Sequence, residues 1–156
     1  MATKKTLKLK IDMVPQGSWG TSLRNGMPRS RWDKLRKQVH DQNGNKCQIC
    51  DSTVKLNCHE LWEYDAKSNI QKLVGLGTIC NMCHHVTHIG RSIQLDREGH
   101  LDIDAVVNHF LKVNGCDPAT FKRHFKKEWA VFIERSSHEW QIDFGEYAHL
   151  LNKNAS

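Results

Sequence analysis

No stretch of the 156 residues approaches the roughly 20 consecutive apolar side chains that a helix needs to cross a bilayer. The start also lacks the pattern of a secretory leader. Met1-Ala2-Thr3-Lys4-Lys5 is basic, but Leu7-Lys8-Leu9-Lys10-Ile11 alternates where a leader would run continuously apolar. These absences lead us to expect a soluble, cytoplasmic protein with no membrane partner. Internal repeats and low-complexity linkers are missing too, so one domain spanning 1–156 is the simplest organisation. Hydrophobic residues at 38% and charged residues at 26% exclude a disordered composition. Acidic residues are outnumbered, 17 Asp+Glu against 23 Lys+Arg, for a net charge of +6. A basic balance favours a phosphate-rich partner, because Lys and Arg release the counterions condensed on phosphates; a solvated basic surface is the plainer reading.

The order of elements follows from periodicity. Residues 6–14 alternate apolar and polar, with Leu7, Leu9, Ile11 and Met13 on one side, the period of a half-buried strand. Ser30 is placed to cap a helix over 30–42, with Trp32, Leu35 and Val39 on its inner face, which Asn43-Gly44 would end. A strand is expected over 54–63, a turn over 65–69 and a second strand over 70–78, whose Gly75 and Gly77 suggest a bend or a close backbone approach. A helix should begin near Asn81 and stop at Gly90. Beyond it, Asp102 or Asp104 caps a segment stopped by Gly115, and Asp117-Pro118 opens another. That last helix carries Phe121, Phe125, Trp129, Phe132 and Ile133 at helical spacing, which reads as a core stripe. Residues 140–144 return to strand alternation and are placed to pair with the first strand.

The six cysteines come without any sign of secretion, and their spacing points away from disulfides. Cys47 and Cys50 form one C-x2-C, and Cys80 and Cys83 form a second. Two such pairs complete a closed tetrahedral zinc site, structural in role because four sulfurs leave no open position. The ion would staple the start of the hairpin to the start of the helix. Directly after the second pair, His84 and His88 lie four apart on one helical face, the spacing that lets paired histidines hold a metal. His59 is a third candidate. Strand alternation places it opposite Leu56, Cys58 and Glu60.

The run 47–88 resembles the HNH (ββα-metal) endonuclease family, in the form with two structural C-x2-C pairs. The residues that carry the resemblance are the C-x2-C of Cys47 and Cys50, His59 on the first strand, and the C-x2-C-H-x3-H of Cys80, Cys83, His84 and His88. The resemblance implies a zinc-stapled ββα-metal core at 47–90; with the N-terminal strand and helix at 1–46 and the helical extension with a possible final strand at 101–156 that periodicity gives outside it, the expected fold is α+β. The resemblance also implies that His59, His84 and His88 bind one catalytic divalent ion (Mg2+, Mn2+, Ni2+ or Zn2+), which stabilises the leaving oxygen while water attacks a phosphodiester in line. The residue after the first strand ligand is the general-base histidine in the family; here it is Glu60, a weaker base at neutral pH with an ordinary pKa of about 4.3. The family asparagine that orients the base falls by spacing at Gly75. Either Glu60 runs a modified hydrolysis, or the core has lost catalysis and kept binding. A second register takes His59 as base and Cys58 as ligand, but it breaks strand parity, and a thiolate suits magnesium poorly.

Three functions therefore stand side by side. The first is an endonuclease acting on nucleic acid, DNA ahead of RNA, with Glu60, His59 and His84 at the catalytic centre. Its phosphate contacts would come from Arg31, Lys34, Arg36 and Lys37 on the early helix and from Lys122, Arg123, Lys126 and Lys127 on the late one. The second is a non-catalytic zinc module that binds nucleic acid or a protein. The third is a zinc-stapled scaffold that docks through its aromatic C-terminal helix. The seven other histidines receive no role.

Overall fold

The cysteine pairs bracket a long hairpin. In the computed structural model, which describes residues 6–151, β1 (Leu56–Asp65) runs antiparallel to β2 (Ile70–Cys80). The basic start at 1–5 lies outside the described residues. The register brings Leu56 opposite Cys80 and His59 opposite Gly77, with a bulge between Leu61 and Trp62. Gly77 answers to a close approach: a Cβ there would meet Gln48 Oε1 at 2.9 Å, and that oxygen accepts the Thr78 N–H at 2.8 Å. A third strand, β3 (Gln141–Asp143), joins β2 in parallel, giving the order β1-β2-β3.

Five α-helices complete the α+β architecture of the described residues: α1 (Arg29–Gln42), α2 (Asn81–Thr87), α3 (Ile89–Arg97), α4 (Ile103–Asn114) and α5 (Pro118–Ser136). Asp102 and Asp117 accept backbone N–H bonds at the starts of α4 and α5, and Gly115 closes α4 in the left-handed conformation at φ 59°, as their positions predict. The start of α1 differs. Pro28 occupies the cap position without a side-chain bond, and Ser30 lies inside the helix.

Four other expectations are corrected. Residues 6–14 form no strand. Leu9, Ile11 and Met13 are buried as the alternation requires, but their backbone is satisfied by helices. Asn114 Oδ1 accepts from the N–H groups of Lys8 and Leu9 at 2.7 and 2.9 Å, and its Nδ2 donates to Leu9 O at 2.9 Å. His124 Nε2 accepts from Ile11 at 2.9 Å, and Thr87 O accepts from Asp12 at 3.0 Å. The final strand pairs with β2 and not with this segment. Gly90 does not stop a helix. The break falls at His88 (φ −101°, ψ 51°), α3 begins at once, and Gly90 lies within it, where a Cβ would sit 3.4 Å from Met13 Sδ. Finally, the α5 stripe is only partly core: Phe121, Phe125 and Phe132 pack on the buried cluster, while Trp129 and Ile133 are exposed.

The main core joins Leu9, Ile11, Met13, Ile79, Val86, Ile89, Val106 and Phe110 to Cys47, Cys80 and Cys83. A second cluster of Leu23, Met27, Trp32 and Leu73 takes in Cys58 and Trp62 from β1. Between them opens the cleft described next.

Candidate metal centre

The first C-x2-C is a tight knuckle. The Cys47 N–H donates to Ser52 O at 2.8 Å and the Asp51 N–H to Cys47 O at 3.0 Å, with Asp51 in the left-handed region at φ 66°. Gln48 N–H reaches Thr78 O at 2.9 Å and so seats the knuckle on β2. The second pair straddles the strand–helix joint, with Cys80 as the cap residue of α2. Together Cys47, Cys50, Cys80 and Cys83 place their sulfurs within 4.8 Å of one another, with Cys50 and Cys80 at 3.5 Å. Tetrahedral zinc, with Zn–S bonds of about 2.3 Å, separates its sulfurs by about 3.8 Å, so the four cysteines could hold a metal such as zinc.

The electrostatics fit that donor set. Burial opposes ionisation of Cys47, but N–H groups of Cys50, Cys80 and Ile49 outweigh it and lower its pKa. The Cys83 thiol is pushed up by burial and then by the charge of Cys47, and Cys50 is raised chiefly by burial. One thiolate therefore hinders the next, and a divalent cation removes that conflict. His109 from α4 places Nε2 3.2 Å from Cys83 Sγ; its distance in sequence hid this contact.

The second cluster draws on the same helix, through His84 and the cap residue His88. His59 comes from β1, and the helix and its cap present His84 and His88 to it. Their ring centroids are 5.6 Å (His59–His84), 5.4 Å (His59–His88) and 4.6 Å (His84–His88) apart, and one nitrogen of each lies within 4.8 Å of the others. Burial first, and neighbouring imidazoles second, lower His59 and His88 to about 4 and His84 to about 3. All three are neutral at physiological pH and keep a lone pair for a metal. The break at His88 leaves carbonyls that the Ser92 hydroxyl collects, donating to His85 O at 2.6 Å.

Glu60 lines the same cleft as the three histidines, but its Oε1 accepts the Leu23 N–H at 2.7 Å. Burial raises its pKa, against the N–H groups of Leu23 and Arg24 and the Arg24 charge. It is thus held by the backbone of the loop at Leu23 and Arg24. Cys58, pushed up to about 12 by burial, faces the second core cluster and stands apart from the histidine cluster.

The cleft encloses about 850 Å³ and is lined by Arg24, Arg29, Arg36 and Arg91 against two carboxyl groups, Asp33 and Glu60. Asp33 pairs with Arg29 at 3.9 Å and Arg36 at 3.5 Å. Of the basic residues named from sequence, only Arg36 lines this cleft. Arg31 Nη1 is committed to Leu150 O at 2.8 Å, and Lys34, Lys37, Lys122, Arg123, Lys126 and Lys127 lie exposed elsewhere. Arg29, Asp33 and Arg36 share one face of α1, a spacing that could have identified Arg29. Arg91 is brought in by α3, and Arg24 by a 3-10 turn with no periodic signal.

No helix of the described residues is long and apolar enough to cross a membrane. Comparison with family models, curated proteins and solved structures gave no match for this chain.

Proposed function

We propose that this chain is an HNH-like, zinc-stapled endonuclease that hydrolyses phosphodiester bonds of nucleic acid, DNA ahead of RNA. The observation that carries the reading is the convergence of His59, His84 and His88 in a cleft lined by four arginines. Zinc at the four cysteines would hold the hairpin to α2. A divalent ion at the histidines would act as Lewis acid on the phosphate and on the charge that builds on the leaving oxygen. The arginines hold flanking phosphates, since the guanidinium fork matches two phosphate oxygens at once. Glu60 is the candidate base, because a carboxyl whose pKa burial raises accepts a proton near neutrality better than an ordinary one.

A second reading, binding without cleavage, is favoured by one contact: the Leu23 N–H already occupies Glu60 Oε1. Nicking of closed-circular plasmid by purified protein, with magnesium, manganese, nickel or zinc added, separates the two. Wild type is expected to nick with at least one ion. His84→Ala should lose cleavage while retaining the zinc of the four cysteines. Failure to cut plasmid or RNA with every ion overturns the endonuclease reading and leaves the binding module.

A further inference from the structure

We propose that Trp19 is a stacking platform for an unpaired base, so that the cleft takes single-stranded or locally opened nucleic acid in preference to closed duplex. The inference rests on the nucleic-acid reading above and specifies its substrate class. Trp19 lines the same cleft as the histidines and the four arginines, yet 48% of its surface is exposed. It is nevertheless held in place. Its Nε1 donates to Val14 O at 2.8 Å, and its backbone N–H closes the turn Gln16–Ser18 through Gln16 O at 3.2 Å. Its ring lies 6.1 Å from Phe132, which is itself 5.3 Å from Trp129. An indole fixed on one side and open on the other loses little freedom when a flat ligand settles on it.

The surroundings select the ligand. Apolar surface alone would suit many partners, but four guanidinium groups in the same cleft call for phosphates close to the flat group. A basic groove with an aromatic ring is how single strands are held, the backbone by charge and the bases by stacking. Closed duplex satisfies the charge but keeps its bases stacked inside, and offering one to Trp19 costs unpairing and unstacking. The same cleft would therefore separate the two forms by an amount set by this one side chain.

The test measures binding of a fluorescein-labelled oligonucleotide and of its closed duplex by anisotropy. It uses the full, zinc-loaded chain without other added divalent ions, and strand integrity is checked on a gel. The single strand is expected to bind more tightly. Trp19→Ala should weaken it on the order of tenfold while changing duplex binding by less than about twofold, as for a contact that leaves phosphates untouched. Trp19→Phe should restore single-strand binding, and Trp19→Leu, with bulk but no aromatic face, should not. If single strand and duplex bind alike and Trp19→Ala changes neither, or if Leu substitutes as well as Phe, the inference fails while phosphate binding stands. If neither form binds, the nucleic-acid reading fails with it.

Discussion

Replacing Glu60 in two ways separates what its charge does from what its shape does. Glu60 Oε1 accepts the N–H of Leu23 at 2.7 Å, and Leu23 is fully buried. Glu60→Ala leaves that N–H without its partner, at a cost of about 1–3 kcal/mol. In a chain of this size a loss of about 2 kcal/mol lowers the melting midpoint by roughly 4–8 °C. Glu60→Gln keeps a carbonyl oxygen for the same N–H and removes a charge that burial disfavours. Its stability should therefore stay within about 1 kcal/mol of wild type, and its midpoint within roughly 2–4 °C. Activity sorts the variants differently. An amide cannot take a proton from water, so if Glu60 is the base, Gln and Ala both lose on the order of a hundredfold or more in nicking rate. If Glu60 only anchors the 23–24 loop, Gln cuts like wild type and Ala falls with its stability. Circular dichroism melts beside plasmid-nicking rates read both axes. A Gln variant that melts as low as Ala would refute the hydrogen-bond account, and one that cuts at the wild-type rate removes Glu60 as the base.

If the four cysteines hold zinc as proposed, its removal by a strong chelator should unfold the hairpin and α2, because Cys47, Cys80 and Cys83 belong to the main core and such a site would also be its fastening. Far-UV circular dichroism with colorimetric zinc release checks this, and an unchanged melting midpoint after complete release counts against a structural role. His40 should contribute a pH dependence. It is buried, its Nδ1 lies 2.8 Å from Thr78 Oγ1, and its Nε2 has no partner. Burial, then Arg36, lowers its pKa below 6.5. The unfolded chain takes up this proton first, so the stability present above pH 6.5 declines as pH falls below it. Melts between neutral pH and about pH 5 should show a shallower decline for His40→Gln than for wild type; parallel declines would exclude His40 as a contributor.

The parts legible in the sequence were those written in short-range spacing. The two C-x2-C pairs and the His84/His88 repeat each depend on the local geometry of a knuckle or a helix, and in the structure the four cysteines come together, as do His84 and His88 with His59. The Asp102, Gly115 and Asp117 signals worked for the same reason. The failures concern partners. Alternation at 6–14 reported which side chains are buried, but alternation cannot say what bonds the backbone, and here Asn114 and His124 do so across more than a hundred residues. Gly90 read as a stop because glycine ends helices more often than it admits a neighbour, and here it admits Met13. Stopping the helix there left Arg91 out of the site. The conspicuous basic clusters on α1 and α5 drew attention mostly to exposed faces; of them only Arg36 reaches the cleft, beside Arg29 on the same helix, while Arg24 and Arg91 come singly from elsewhere in the chain.

The two clusters share α2, and this adjacency orders their dependence. Cys80 caps the helix and Cys83 faces the main core, while His84 and His88 sit on the same seven-residue helix and its cap and face the cleft. A helix this short has little stability of its own in water. Its position is set by the cysteine site on one side and by Val86 and Ile89 in the core. His59 is placed separately, by the register of β1 on β2, and that register is fixed where Gln48 of the first knuckle bonds Thr78. All three histidines are thus referred, through two routes, to the same four sulfurs. The histidine site therefore depends on the cysteine site together with the core packing of Val86 and Ile89 and the pairing of β1 with β2, so loss of the sulfur site is expected to loosen the imidazoles more than loss of an imidazole loosens the sulfurs.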